Sequence, residues 1–104
     1  MVTKSATLPN SVYEALRQLT HESRIDRALS IALKDLLKLK TQNLDQQIAA
    51  FEKKYSMSFA EFEQACEDGR IEDPYSYEVE KDNWEWETFL TERKELEMVA
   101  QWLE

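Results

Sequence analysis

The sequence predicts a mainly α, elongated fold, expected to be oligomeric: a short N-terminal strand, a helix, a long central helix, a short helix and a C-terminal helix. Three observations predict it. One glycine and two prolines among 104 residues leave few places for tight turns or a multi-stranded sheet. Leu, Glu, Ala, Lys and Gln, all good helix formers, are plentiful. Apolar residues recur at three and four through most of the chain, the period of an amphipathic helix. A hydrophobic content of 42% with eleven aromatics is enough for a core, which argues against wholesale disorder although 33% of residues are charged.

Residues 2–8 alternate, with Ala6 and Leu8 on one side and Thr3, Ser5 and Thr7 on the other, which predicts a short strand that Pro9 ends. Ser11 and Glu14 form a capping-box pattern, and Val12, Ala15, Leu16 and Leu19 make one apolar face, so the first helix is expected over about 11–20. Ser23 is placed to cap a second helix running from about Arg24 to Tyr55, with Leu29, Leu33, Leu36 or Leu37, Leu44, Ile48, Phe51 and Tyr55 on its apolar side. At 1.5 Å per residue that helix is about 48 Å long, so it is expected either to break near Thr41-Gln42-Asn43 or to pair with another chain. Ser58 and Glu61 form a second capping box, opening a short helix that carries Phe59, Phe62 and Ala65 or Cys66 and stops at Gly69. Asp73-Pro74 opens the last element. Tyr75, Tyr77 and Val79 alternate with polar residues, which predicts an extended or frayed stretch over 75–81, followed by a helix from about Asp82, as its cap, to Leu103.

Charge is distributed unevenly along these elements. Residues 1–40 carry a net +3 and residues 71–104 a net −8, equal to the charge of the whole chain. Such a split suggests two ends with different partners, one polyanionic and one basic. The basic half is weak for a nucleic-acid patch unless a dimer doubles it, and bases on the solvent side of amphipathic helices explain it equally well.

The acidic end is more informative, because ten of the eleven aromatics lie in residues 51–104. Trp84 and Trp86 are two positions apart, so on a helix they point about 200° apart and cannot both face one core. Either the second Trp is an ordinary half-exposed surface residue, or it anchors a partner, as Trp does at interface hot spots. The acidic run (Glu78, Glu80, Asp82, Glu85, Glu87, Glu92, Glu95, Glu97) reads as a solvated helix face, yet only Lys81, Arg93 and Lys94 interleave with it. Unbalanced acid beside large aromatics suits docking on a basic surface. The expected partner-binding residues are Tyr75, Tyr77, Glu78, Glu80, Trp84, Glu85, Trp86, Glu87, Phe89 and Trp102.

Nothing in the sequence argues for catalysis, a cofactor or a metal. His21 is the only histidine, without Cys or His at ligand spacing, and reads as a loop residue. Cys66, the only cysteine, excludes an internal disulfide, fits a reducing compartment and reads as a small apolar filler. There is no Gly-rich phosphate loop. No apolar run has the length of a signal core or a membrane span, so the expectation is a soluble, cytoplasmic protein.

Residues 3–37, in which Ser5-Ala6-Thr7-Leu8-Pro9 leads into Val12-Tyr13-Glu14-Ala15-Leu16-Arg17-Gln18-Leu19 and a second helix, resemble the ribbon-helix-helix DNA-binding fold found at the N-terminus of prokaryotic antitoxins. The resemblance implies a homodimer whose paired strands enter the major groove. It would make Thr3, Lys4, Ser5 and Thr7 the DNA-facing residues, with Ala6 and Leu8 in the dimer core. The amides around Ser23 to Ile25, together with Arg24, would take a phosphate. In plan the whole chain is similar to a toxin–antitoxin antitoxin: a dimerisation or operator-binding module over 1–40, the rest of the long helix over 41–56, and an acidic, aromatic arm over 57–104. The expected function is to bind and neutralise a small basic toxin, a ribonuclease or nucleotide-modifying enzyme, with autoregulation of the operon. The alternative is a helical adaptor or homo-oligomer with a coiled-coil central helix and no toxin partner.

Overall fold

The computed structural model describes residues 7–103 as four helices: α1 (Asn10–Thr20), α2 (Ile25–Tyr55), α3 (Phe59–Glu67) and α4 (Tyr77–Trp102). The molecule is elongated, 58 × 30 × 21 Å. No strand occurs among the described residues; Thr7 to Pro9 are irregular, and most of the expected N-terminal strand lies outside the described residues.

The sequence contains one glycine, yet four of the described residues, spread over the three connections between helices, have a positive φ. His21 (φ 55°) ends α1 and Ser56 (φ 57°) ends α2, each in the left-handed region with its amide bonded back to the helix, and Asp73 (φ 50°) adopts the same conformation before α4. Gly69 (φ 75°) is the fourth. Left-handed backbone costs a residue with a Cβ free energy, least for the short polar types. Turn-making in this chain was therefore only partly visible from glycine content.

Helix α2 is unbroken through Thr41-Gln42-Asn43. Its C-terminal half packs against α4 and its N-terminal half against α1. Two expected caps are corrected. Neither Ser11 nor Ser23 occupies the cap position: α1 starts behind Pro9 and α2 behind Arg24, neither with a side-chain cap bond. The third holds, because Ser58 Oγ accepts from the Glu61 amide (3.2 Å) and Glu61 Oε1 from the Ser58 amide (3.1 Å). The hydrogen bonds from Ser58 hold the Glu61 carboxyl below its usual range.

The largest departure is at α4. Residues 77–81 are helical, not extended, and Ser76, accepting from the Val79 amide at 3.3 Å, is the cap in place of Asp82. The alternation of Tyr75, Tyr77 and Val79 imitates a strand only when read in isolation. In the helix, Glu78 and Glu80 sit in the first turn, where negative charge complements the helix dipole.

Six aromatic rings where α2, α3 and α4 meet form the core. Trp86 is fully buried, stacked on Phe51 (5.5 Å between centroids) and Tyr55 (6.0 Å), with Phe59 edge-on at 5.2 Å and Phe62 at 5.3 Å. Phe89 extends the group from α4 onto Phe51 at 6.0 Å. Phe62 and Ala65 of α3 are buried, and Leu44 carries the packing one step further along α2.

Candidate protein-docking face

A polar brace beside this core fixes the rotation of α4. Asp82, 7% exposed, accepts from Lys54 Nζ and from the Tyr55 hydroxyl, both at 2.6 Å, and Lys54 also reaches Glu78 at 2.8 Å. Burial alone would raise the Asp82 carboxyl, but the hydrogen bonds from Lys54 and Tyr55 outweigh it and hold it below its ordinary value. Burial and the bond to Asp82 push the Tyr55 hydroxyl up to about 12. The bonds to Asp82 and Glu78 raise Lys54. Farther along, Arg93 binds Asp45 of α2 at 2.7 Å. These bonds and Trp86 set one side of α4 against α2.

The opposite side is therefore turned outward. At about 100° per residue, Tyr77, Trp84 and Trp102 fall within roughly 20° of one another, on the far side of the helix from Trp86. They are 81%, 68% and 73% exposed. Tyr75, just before the helix, is exposed as well. Exposed apolar residues are ordinary singly, but large aromatics aligned on one face are not. Glu80 and Glu87 lie along one edge of this face, and neither enters an ion pair among the described residues. Beside the start of α4, a shallow groove between α3 and α4 is lined by Glu63, Glu67, Glu80, Tyr75 and Cys66. Its carboxylates and aromatic edge suit a lysine or arginine side chain.

The ten partner-binding residues expected from sequence thus separate into two groups. Tyr75, Tyr77, Glu80, Trp84, Glu87 and Trp102 are on the surface. Trp86 and Phe89 pack in the core, while Glu78 is tied to Lys54 and Glu85 to Lys81 at 3.0 Å. Among the residues that sequence reading did not assign to the site, Glu63 and Glu67 were missed because they come from α3. Their only signal was their place on the polar side of a capped amphipathic helix.

The residues expected to face DNA are not gathered by the described structure. Thr3, Lys4 and Ser5 lie outside the described residues, and Thr7 is exposed ahead of α1. Arg24 pairs with Asp26 at 2.9 Å, and the Arg24 amide donates to Glu22 Oε1 at 3.2 Å. A carboxylate thus occupies one of the amides expected to meet a phosphate.

His21 is an exposed helix terminator. Burial, aided by the charge of Glu63, pushes the Cys66 thiol up and so disfavours the nucleophilic thiolate. Among the described residues no three Asp, Glu, His or Cys side chains are grouped as metal ligands, and no helix is long and apolar enough to cross a membrane. Compared with family models, curated proteins and solved structures, the chain matches none.

Proposed function

We propose that this chain is a non-catalytic, antitoxin-type binding protein that neutralises a small basic protein through the outer face of α4. The observation that carries the reading is the alignment of exposed Tyr77, Trp84 and Trp102 along that face, beside Glu80 and Glu87, which enter no ion pair among the described residues. In this reading the aromatic rings fill apolar pockets on the partner, and the carboxylates, including those of the α3–α4 groove, meet lysines and arginines around its active cleft. Excluding a polyanionic substrate from that cleft requires no chemistry from this chain. The partner class is a cytoplasmic ribonuclease or nucleotide-modifying enzyme, since such proteins carry a cationic cleft that an acidic surface complements.

The test uses the product of an adjoining gene that encodes a small basic protein and arrests growth when expressed alone. Co-expression of this chain should restore growth, and Trp84→Ala combined with Tyr77→Ala should abolish the rescue while leaving the circular dichroism spectrum unchanged. Two hot-spot aromatics together account for several kcal/mol of binding, or at least about a hundredfold in affinity. Full rescue by the double variant would remove α4's outer face from the mechanism.

A further inference from the structure

The N-terminal helical hairpin has the opposite problem from the aromatic end: apolar residues without a core. Helix α1 is strongly amphipathic but buries no residue, and its Leu19 is 81% exposed. In the first half of α2 only Ala28 is buried, whereas Leu29, Leu33 and Leu36 are 39%, 48% and 48% exposed. These leucines form a seam with Asp26 at one end and Lys40 at the other, spaced 3, 4, 3 and 4 along the helix, the spacing of a coiled-coil contact line.

We propose that this seam is the interface of an antiparallel dimer, with α2 of a second copy of this chain as its occupant and the two-fold axis at Leu33. The charge pattern selects the occupant. Asp26, which also pairs with Arg24 of its own chain at 2.9 Å, and Lys40, which borders a groove shared with Glu92 and Glu95 of α4, are equidistant from Leu33, about 10 Å on either side of it. A two-fold at Leu33 therefore sets each Asp26 against Lys40 of the second copy, and each Leu29 within about 1.5 Å of the level of Leu36 from that copy. Parallel pairing would oppose Asp26 to Asp26 and Lys40 to Lys40. A charged pair at the ends of an apolar seam fixes register and orientation in this way. The other bases within the first half of α2, Arg27, Lys34 and Lys38, lie on the far side of that helix, so their charges are directed away from the second copy.

Interface size sets the strength. A seam about 21 Å long on one helix falls short of the roughly 800 Å² per partner of a standard interface, so the association is concentration-dependent, not obligate. It is independent of the α4 face, and Trp84→Ala leaves it intact.

Sedimentation equilibrium of the full chain over a wide concentration range tests the proposal. The wild type should show a monomer–dimer equilibrium. Leu33→Glu, which places two carboxylates at the axis, should weaken it by about a hundredfold with helicity retained. Asp26→Lys or Lys40→Asp alone should each weaken it about tenfold, because each creates two like-charge contacts, and the double exchange should restore it. A monomer at every concentration, or assembly indifferent to Leu33→Glu, would overturn the dimer. Dimerisation sensitive to Leu33→Glu but not rescued by the double exchange would overturn the antiparallel register.

Discussion

Helix α2 runs through two different environments with one periodicity. From Leu44 onward its apolar face meets α3 and α4, and Phe51 and Tyr55 close around Trp86. From Ile25 to Leu39 the same three-and-four spacing continues, yet Ile25, Leu29, Leu33, Leu36 and Leu39 all remain more than a third exposed. Amphipathic spacing thus specifies a face, while burial depends on whether a neighbour is long enough and wide enough to cover it. The second half has that neighbour in α4; the first half has an eleven-residue helix. Conformational entropy is lost on both sides, but only the aromatic end recovers it in packing within the chain.

The strongest test of this contrast is to hollow out the end that is closed. Trp86→Ala removes a fully buried ring contacting four others, and large-to-small changes of that kind cost about 3–5 kcal/mol. Urea unfolding of dilute chain should show that loss, with α4 released from α2. Leu33→Ala in the same dilute conditions should cost a small fraction of it, since the side chain is already half in water. Equal losses would mean that the open seam is as well packed as the aromatic core.

A smaller effect belongs to the polar brace. The Asp82 carboxyl titrates lower in the folded chain than in the unfolded one, so its contribution is fully present above about pH 4. It is lost as pH falls through the depressed folded value. Tyr55 behaves in the opposite sense: its folded value of about 12 lies above the unfolded value of about 10, so its contribution holds below pH 10 and fades as pH rises through 12. Asp82→Asn should cost about 1–3 kcal/mol at neutral pH, the cost of a lost charged acceptor, reduced here because Lys54 is substantially exposed. It should also flatten the acid limb of the stability profile. An unchanged acid limb would remove Asp82 as the group that orients α4.

How much of this was legible beforehand differs between the two ends. Helix number, the length of α2 and the Ser58–Glu61 box follow from periodicity and short-range hydrogen-bond chemistry, which need no knowledge of the rest of the chain. At the start of α4 the local alternation of Tyr75, Tyr77 and Val79 imitates a strand, whereas the Ser76 cap and the packing of residues farther along draw the segment into the helix. Asp82 reads locally as a cap because Asp at a helix start is common. Its actual role depends on Lys54 and Tyr55, twenty-eight and twenty-seven residues away, and no local pattern reveals such a pairing. A separation of two residues forces Trp84 and Trp86 in opposite directions on the helix, which is legible in the sequence. Which one is buried was decided by Phe51, Tyr55, Phe59 and Phe62, whose convergence only the tertiary fold displays.

The smallest expected effect is also the one that divides folding from recognition most sharply. Trp84→Ala is made two residues from Trp86, on the same helix, with the same chemical change. Trp84 is 68% exposed and its ring enters none of the aromatic contacts of the core. A surface truncation with no buried partner changes stability by about 0.5 kcal/mol or less. Urea midpoints for wild type and Trp84→Ala should therefore nearly coincide, while Trp86→Ala is displaced by several times the experimental error. If Trp84→Ala unfolds the chain as readily, the ring is structural and its exposure has no bearing on a partner. If it leaves stability untouched, an indole kept in water on the face opposite the core contributes nothing measurable to folding, as the proposed docking role requires.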